Sequence, residues 1–187
     1  MDGDALIIPQ KRLCRILDQI EEHLPWVKRV GSYANAKSIG MKSIEDLIEL
    51  RNKGLKILYL GVESGHDEVL KEINKGSTAA NLILMGKKVR DADIKLSVTV
   101  LLGIAGKERS LEHAKATGEV LSAIDPNYIG ALTVMLVPGT RLYEDHQLGK
   151  FELMNEQDVL IELREMIANT NLTKGCFSPT TPPTIFL

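Results

Sequence analysis

Glu63 and Ser64 are the residues of this sequence best placed to do chemistry. They follow Ile57-Leu58-Tyr59-Leu60, a short unbroken run of apolar and aromatic residues that stops at Gly61. That length suits a strand buried on both faces, as in a parallel sheet, better than a helix. Val62-Glu63-Ser64-Gly65 then reads as a βα loop before a helix opened and capped by Asp67. In parallel α/β folds the βα loops build the ligand site, so a carboxylate and a hydroxyl there face the ligand. Two readings of Glu63 stay open. It is a loop carboxylate that caps the next helix or pairs with a lysine, or it is a ligand-binding group.

Polar groups recur at the same register after other strands: Asp2 and Asp4; Ser32, Tyr33 and Asn35; the glycine-bearing loop Gly103 to Gly106; Gly139 and Thr140. Five such clusters in register favour one shared site. Ser97 and Thr99 lie inside a β-branched run, where they point into a barrel interior or satisfy local hydrogen bonds. No metal set is visible. His23, His66, His113 and His146 are scattered, and HExxH, paired CxxC, GxSxG, the Walker loop and GxGxxG are all missing.

The elements that must carry these groups alternate. Leu13, Ile16, Leu17, Ile20 and Leu24 form a helical stripe after Pro9. Trp26 to Val30 reads as a strand leading into the loop Gly31 to Asn35. Ser43 and Asp46 fit a capping box, with Gly54 as a helix C-terminal glycine. After the strand before Glu63 comes a short helix broken at Lys75-Gly76-Ser77, then a helix from Thr78 to Ala92. Asp93 stands where glycine is expected. Ile94 to Leu102 is the next strand. Ser110 caps a helix through Ile124, Tyr128 to Val137 is a further strand, and Asn155 with Asp158 opens a last helix. A sixth strand is expected near Cys176.

Strand starts are roughly 30 to 38 residues apart, the size of a βα unit. A full eight-unit barrel takes about 250 residues, more than the 187 here. The pattern therefore predicts an α/β fold, a partial barrel of parallel strands, over residues 1–178, with an irregular tail at 179–187. With 44% hydrophobic and 26% charged residues and a net charge of -2, bulk charge argues against a nucleic-acid or membrane surface. No apolar run nears the ~20 residues that span a bilayer. The acidic N-terminus is no secretory signal, and the two distant cysteines read as reduced thiols of a cytoplasmic protein.

Asp2 to Leu6, Arg29 to Asn35, Leu58 to Gly65 and Leu136 to Thr140 together resemble the radical S-adenosylmethionine (SAM) superfamily, in the branch with the Elp3-like and coproporphyrinogen-dehydrogenase-like proteins. The resemblance implies a partial (β/α)6 TIM-like barrel binding S-adenosylmethionine across its open top. It also implies a four-iron four-sulfur cluster that cleaves this cofactor to a 5′-deoxyadenosyl radical. Carried over by residue, Gly3 and Asp4 match the motif that holds the methionyl amino group. Glu63 and Ser64 match the fourth-strand polar position, with Ser32 among the pocket groups. Leu102, Gly103, Ile104 and Gly106 match the segment lining the adenine, and Val137 and Pro138 the backbone that hydrogen-bonds it. The substrate and the catalytic residues stay unassigned.

The departures are as informative. The CxxxCxxC that binds the family's cluster, and the strand before it, have no counterpart, so the chain reads as N-terminally truncated and lacking the first βα unit. Cys14 and Cys176 cannot supply three clustered thiolates, and no metal ligand is assigned. A strand at Trp26 to Val30 without its neighbour has a bare edge, which invites self-association. Two other readings remain. One is a βα-barrel lyase or aldolase using Glu63 as base and the Gly103 to Gly106 loop for a phosphate. The other is a degenerate, non-catalytic barrel.

Overall fold

The architecture follows from alternating apolar strands and one-sided helices. In the computed structural model, residues 3–177 and the backbone of 185–186 are described. A short 3-10 turn, Ala5–Ile7, leads to α1 (Gln10–His23), β1 (Val30–Ala34), α2 (Ala36–Gly40) and α3 (Ile44–Asn52). Then come β2 (Leu55–Glu63), α4 (Asp67–Glu72), α5 (Ala79–Asp91), β3 (Lys95–Leu102), α6 (Ser110–Ile124) and β4 (Tyr128–Thr133). The chain continues through α7 (Arg141–Gln147) and α8 (Glu156–Ala168) to two short strands, β5 (Cys176–Phe177) and β6 (Ile185–Phe186).

The strands form one six-stranded sheet in the order β5-β4-β3-β2-β1-β6. Every pairing in it is parallel. Register divides the side chains by period two. Leu60, Val98 and Ile129 lie side by side and point outward, each 1% exposed or less. They pack with Leu47 and Leu50 of α3, Leu82 and Val89 of α5, and Ala114 and Leu121 of α6. Burying each such aliphatic side chain is worth about 1.5–3 kcal/mol, an upper bound against a realistic unfolded chain. The other face is concave and holds the polar residues. No helix of the described residues is long and apolar enough to cross a membrane.

Several boundaries differ from the sequence reading. The first long strand is Val30–Ala34, so Gly31, Ser32 and Tyr33 are strand residues and Trp26 to Arg29 are not. Pro25 and Trp26 form a turn closed by the Val27 N–H on the Leu24 carbonyl, and Trp26 is exposed. The outer edge of β1 is not bare. Val30 and Gly31 pair with Ile185 and Phe186, and Tyr33 bridges Asp4. Ile185–Phe186 are thus strand where an irregular tail is expected; the rest of 178–187 lies outside the described residues. β2 runs through Gly61 and Val62 to Glu63, and β4 stops at Thr133 rather than Val137. α7 has no forerunner in the sequence reading. The expected sixth strand is present as β5. The capping boxes or caps at Ser43, Thr78 and Asn155 are formed. Asp67 instead caps α5, accepting the Ala79 N–H at 2.7 Å. Asp93 takes the left-handed conformation expected of glycine, φ 56°, and pairs with Arg51.

Candidate functional site

A cavity of about 610 Å³ opens on the concave face. Its floor is laid down by register. Tyr33, Tyr59, Ser97 and Tyr128 are paired neighbours across β1, β2, β3 and β4 and form one row. Gly61, Thr99 and Gly130 form the next row, where two glycines leave the middle of the sheet without bulk. Leu101 and Leu132 pair above them. Ser97 and Thr99 therefore point into the barrel interior. The Tyr33 and Tyr59 rings meet at 5.6 Å between centroids, tilted by 41°. An apolar, aromatic floor with few polar groups at its mouth is the usual make-up of a small-molecule site.

The polar mouth holds Asp4, Glu63 and Lys75, with Gly3 and Asn35 beside them. Asp4 accepts the N–H of Leu6 at 3.1 Å on one carboxylate oxygen and that of Asn35 at 2.9 Å on the other. It thereby caps the 3-10 turn and ties the chain start to the end of β1; each oxygen keeps a second lone pair for a ligand. Glu63 ends β2 in the left-handed region, φ 63°, beside a register irregularity between Gly61 and Glu63. A bulge of this kind re-aims a side chain. The Glu63 carboxylate folds back over Gly61, where a Cβ would overlap it, and meets the Lys75 ammonium at 3.0 Å. Both side chains are about one-fifth exposed, at 22% and 20%. Lysine pairing, one of the two sequence readings of Glu63, is thus realised inside the cavity rather than away from it.

Lys75 escaped the sequence reading. α4 stops after six residues, Asn74 turns left-handed at φ 53°, and the Lys75 N–H returns to the Leu70 carbonyl at 2.9 Å. This turn carries the lysine back over the end of β2. The signal for it was Asn74-Lys75-Gly76, a helix stop with a cation in it.

Of the residues singled out in the sequence, Gly3, Asp4, Tyr33, Asn35, Glu63, Ser97 and Thr99 line the cavity. Ser32 does not: it faces the core, fully buried, and donates to the Tyr33 carbonyl at 2.8 Å. Ser64 is also fully buried and accepts the His66 N–H at 2.9 Å. Leu102, the last residue of β3, and Gly103, Ile104 and Gly106 of the turn after it are buried and lie outside the cavity lining. Gly103 donates its N–H to the Glu162 carboxylate at 2.9 Å, so the loop has already given that donor to an anion of the protein. This weakens the phosphate-loop reading. Val137 and Pro138 are exposed beyond the end of β4, and the Val137 carbonyl accepts from Thr140.

The cavity's size and its mixed charge fit a molecule such as S-adenosylmethionine. The residues of this chain do not fit an iron–sulfur cluster. Cys14 lies in the face of α1 turned to the core, where burial, with the Glu49 carboxylate beside it, pushes the thiol up. Cys176 is exposed on β5. Among the described residues no group of three or more histidines, cysteines or acids could hold a metal ion.

No family model matches the chain. In sequence it is similar to a tRNA uridine(34) acetyltransferase of Methanocaldococcus jannaschii, 24% identical over 123 residues, which are 65% of this chain and 22% of that protein. In structure it is similar to Methanocaldococcus infernus Elp3 carrying an N-terminal deletion, with a TM-score of 0.66 and 18% identity over 90% of this chain and 43% of that one. It is also similar to Escherichia coli coproporphyrinogen III oxidase (HemN), a radical SAM enzyme, with a TM-score of 0.65 and 16% identity over 89% of this chain and 38% of that one. The chain spans less than half the length of each of these proteins. The chain shares the partial α/β barrel fold of these two structures, one of which is a radical S-adenosylmethionine enzyme.

Proposed function

We propose that this chain is the S-adenosylmethionine-binding part of a radical SAM-type protein, and that the concave cavity is where the cofactor sits. One observation carries the reading: Asp4, Glu63 and Lys75 line one cavity, with Asp4 tied to the end of β1 and the Glu63–Lys75 pair at the end of β2. An amino-acid end bears an ammonium and a carboxylate, and this mouth offers partners for both. Asp4 and Glu63 accept from the ammonium; Lys75, released from Glu63, takes the carboxylate. The row Tyr33, Tyr59 and Tyr128 with Thr99 gives the rest of the molecule an apolar floor with hydroxyls at its edge. Gly61 and Gly130 let a ligand lie close to the sheet. When bound, S-adenosylmethionine supplies the adenosyl group that enzymes of this fold use as a radical source. The two cysteines here do not hold the cluster that such chemistry needs, so this chain's own part is binding and orienting the cofactor.

Titration calorimetry of the purified chain with S-adenosylmethionine tests the reading. Binding is expected to be weak, with a Kd of about 0.1–1 mM, and Glu63→Ala is expected to weaken it by about ten-fold, or 1.4 kcal/mol. No heat at millimolar ligand contradicts a cofactor cavity. Equal binding by Glu63→Ala contradicts the role of Glu63 alone.

A further inference from the structure

One cluster of buried ionisable groups lies outside the cavity. Glu162 of α8 is fully buried, on the helix face that also carries Val159, Leu163 and Met166. One carboxylate oxygen accepts the Gly103 N–H at 2.9 Å and faces the His113 Nδ1 of α6 at 3.1 Å. The other accepts the Ser110 hydroxyl at 2.6 Å. The His113 side chain is fully buried too, and its Nε2 has no hydrogen-bond partner among the described residues. The imidazole is therefore turned toward the carboxylate rather than bridging to another group.

Removing a carboxylate from water is costly, and an apolar residue on this face would pack more cheaply. What the carboxylate gains is a grip on one backbone group. β3 ends at Leu102, whose carbonyl accepts the Val134 N–H at 2.9 Å, and the chain then turns at Gly103, φ 80°. The Gly103 N–H is the first donor beyond the ladder, and Glu162 takes it. The turn continues through Ile104 and Ala105, packed with Val69 of α4 and Leu142 of α7, to Gly106, which donates to the Gly103 carbonyl at 3.1 Å. Leu101, two residues before the gripped amide, lines the cavity wall. The position of this wall thus depends on where the strand is released.

We propose that Glu162 is a positioning residue for the cavity: oriented by His113 and Ser110, it holds the Gly103 amide, and so sets the Gly103 to Gly106 turn and the Leu101 wall in the form that accepts ligand. The ligand half of this rests on the cofactor reading above; the grip on the turn does not.

Amide hydrogen exchange over residues 101–106, with a parallel S-adenosylmethionine titration, tests it on the 187-residue chain and its variants. Glu162→Gln keeps an oxygen that accepts the Gly103 N–H. It is expected to hold exchange in 101–106 and affinity within about three-fold of the parent. Glu162→Leu keeps the bulk and loses the acceptor. Exchange in 101–106 is expected to speed up, and affinity to fall, by about ten-fold or more while β2 keeps its protection. Unchanged exchange at Gly103 in Glu162→Leu, or equal loss across β2 and β3, overturns the proposal. If Glu162→Leu does not fold, Ser110→Ala and His113→Leu leave the Gly103 bond but free the carboxylate. They must then loosen 101–106 by about two-fold or more, and no change overturns the proposal. If the parent chain binds no S-adenosylmethionine, the cofactor reading fails, and the exchange comparison alone decides whether Glu162 holds the turn.

Discussion

Gly61 and Gly65 stand four residues apart around the same carboxylate, yet they answer to different constraints. A Cβ at Gly61 would overlap the end of the Glu63 side chain, which can swing away. A Cβ at Gly65 would overlap the backbone of Ala116 in α6, against which the loop is also tied by the Gly65 N–H on Thr117 Oγ1 at 2.9 Å. Gly61→Ala is therefore expected to change stability by less than about 1 kcal/mol while displacing the Glu63–Lys75 pair and weakening ligand binding. Gly65→Ala is expected to cost about 1–3 kcal/mol by forcing α6 off the loop. Denaturant melts of both variants, with the titration, separate the two roles; equal destabilisation contradicts the assignment. At this scale Glu63 was legible because a carboxylate after an apolar strand is a strong local signal, and Asp4 through the motif resemblance of Asp2 to Leu6. Lys75 was not, because its place depends on a left-handed turn at Asn74 folding the chain back over β2. Glu162 left a trace that is clear in retrospect, a lone acid on the stripe of Val159, Leu163 and Met166.

Helices and strands are joined here by a few side-chain contacts at their ends. Asp125 caps α6 in the left-handed region, φ 51°. It accepts the Thr173 N–H at 2.9 Å and hydroxyl at 2.6 Å, and meets Arg90 of α5 at 3.3 Å. Burial opposes its charge, but the Thr173 bonds and the Arg90 guanidinium outweigh that and hold the carboxyl below the usual carboxylate range. A depressed carboxyl contributes stability that is present above its unfolded value and lost as pH falls through its folded value. Asp125→Asn keeps the turn and loses the charge. Its melting temperature is expected to lie about 2–4 °C below the parent at pH 7, for about 1 kcal/mol, and the gap to close as the pH falls below about 3.9. A gap that is constant from neutral to acid pH contradicts the charge-based account. The order of elements was readable because each strand and helix carries its own period. The bounds of β1 were not, because Trp26 and Val27 look more strand-like than Gly31 and Ser32. Only pairing with β2, which buries Gly31 and Ser32, settles them in favour of Val30–Ala34.

The whole molecule is a parallel sheet with its helices on the outer face and its polar groups on the concave one. That plan could be read from βα spacing, since right-handed crossovers between parallel strands allow few arrangements. The cavity floor could not, because Tyr33, Tyr59, Ser97 and Tyr128 come together only through register across four strands. The account's central claim is that this floor and its charged mouth receive S-adenosylmethionine. The most direct measurement is an amide NMR titration of the isotope-labelled chain with that ligand up to about 10 mM, above the Kd of about 0.1–1 mM expected for an amino-acid-type ligand at such a mouth. The account predicts shifts gathered at Asn35, Gly61, Glu63, Lys75 and Gly130, all cavity-lining residues, and none along α1. Perturbation confined to the apolar groove of Arg12, Ile16, Ile20 and Leu24 on α1, or none anywhere at that concentration, would contradict it.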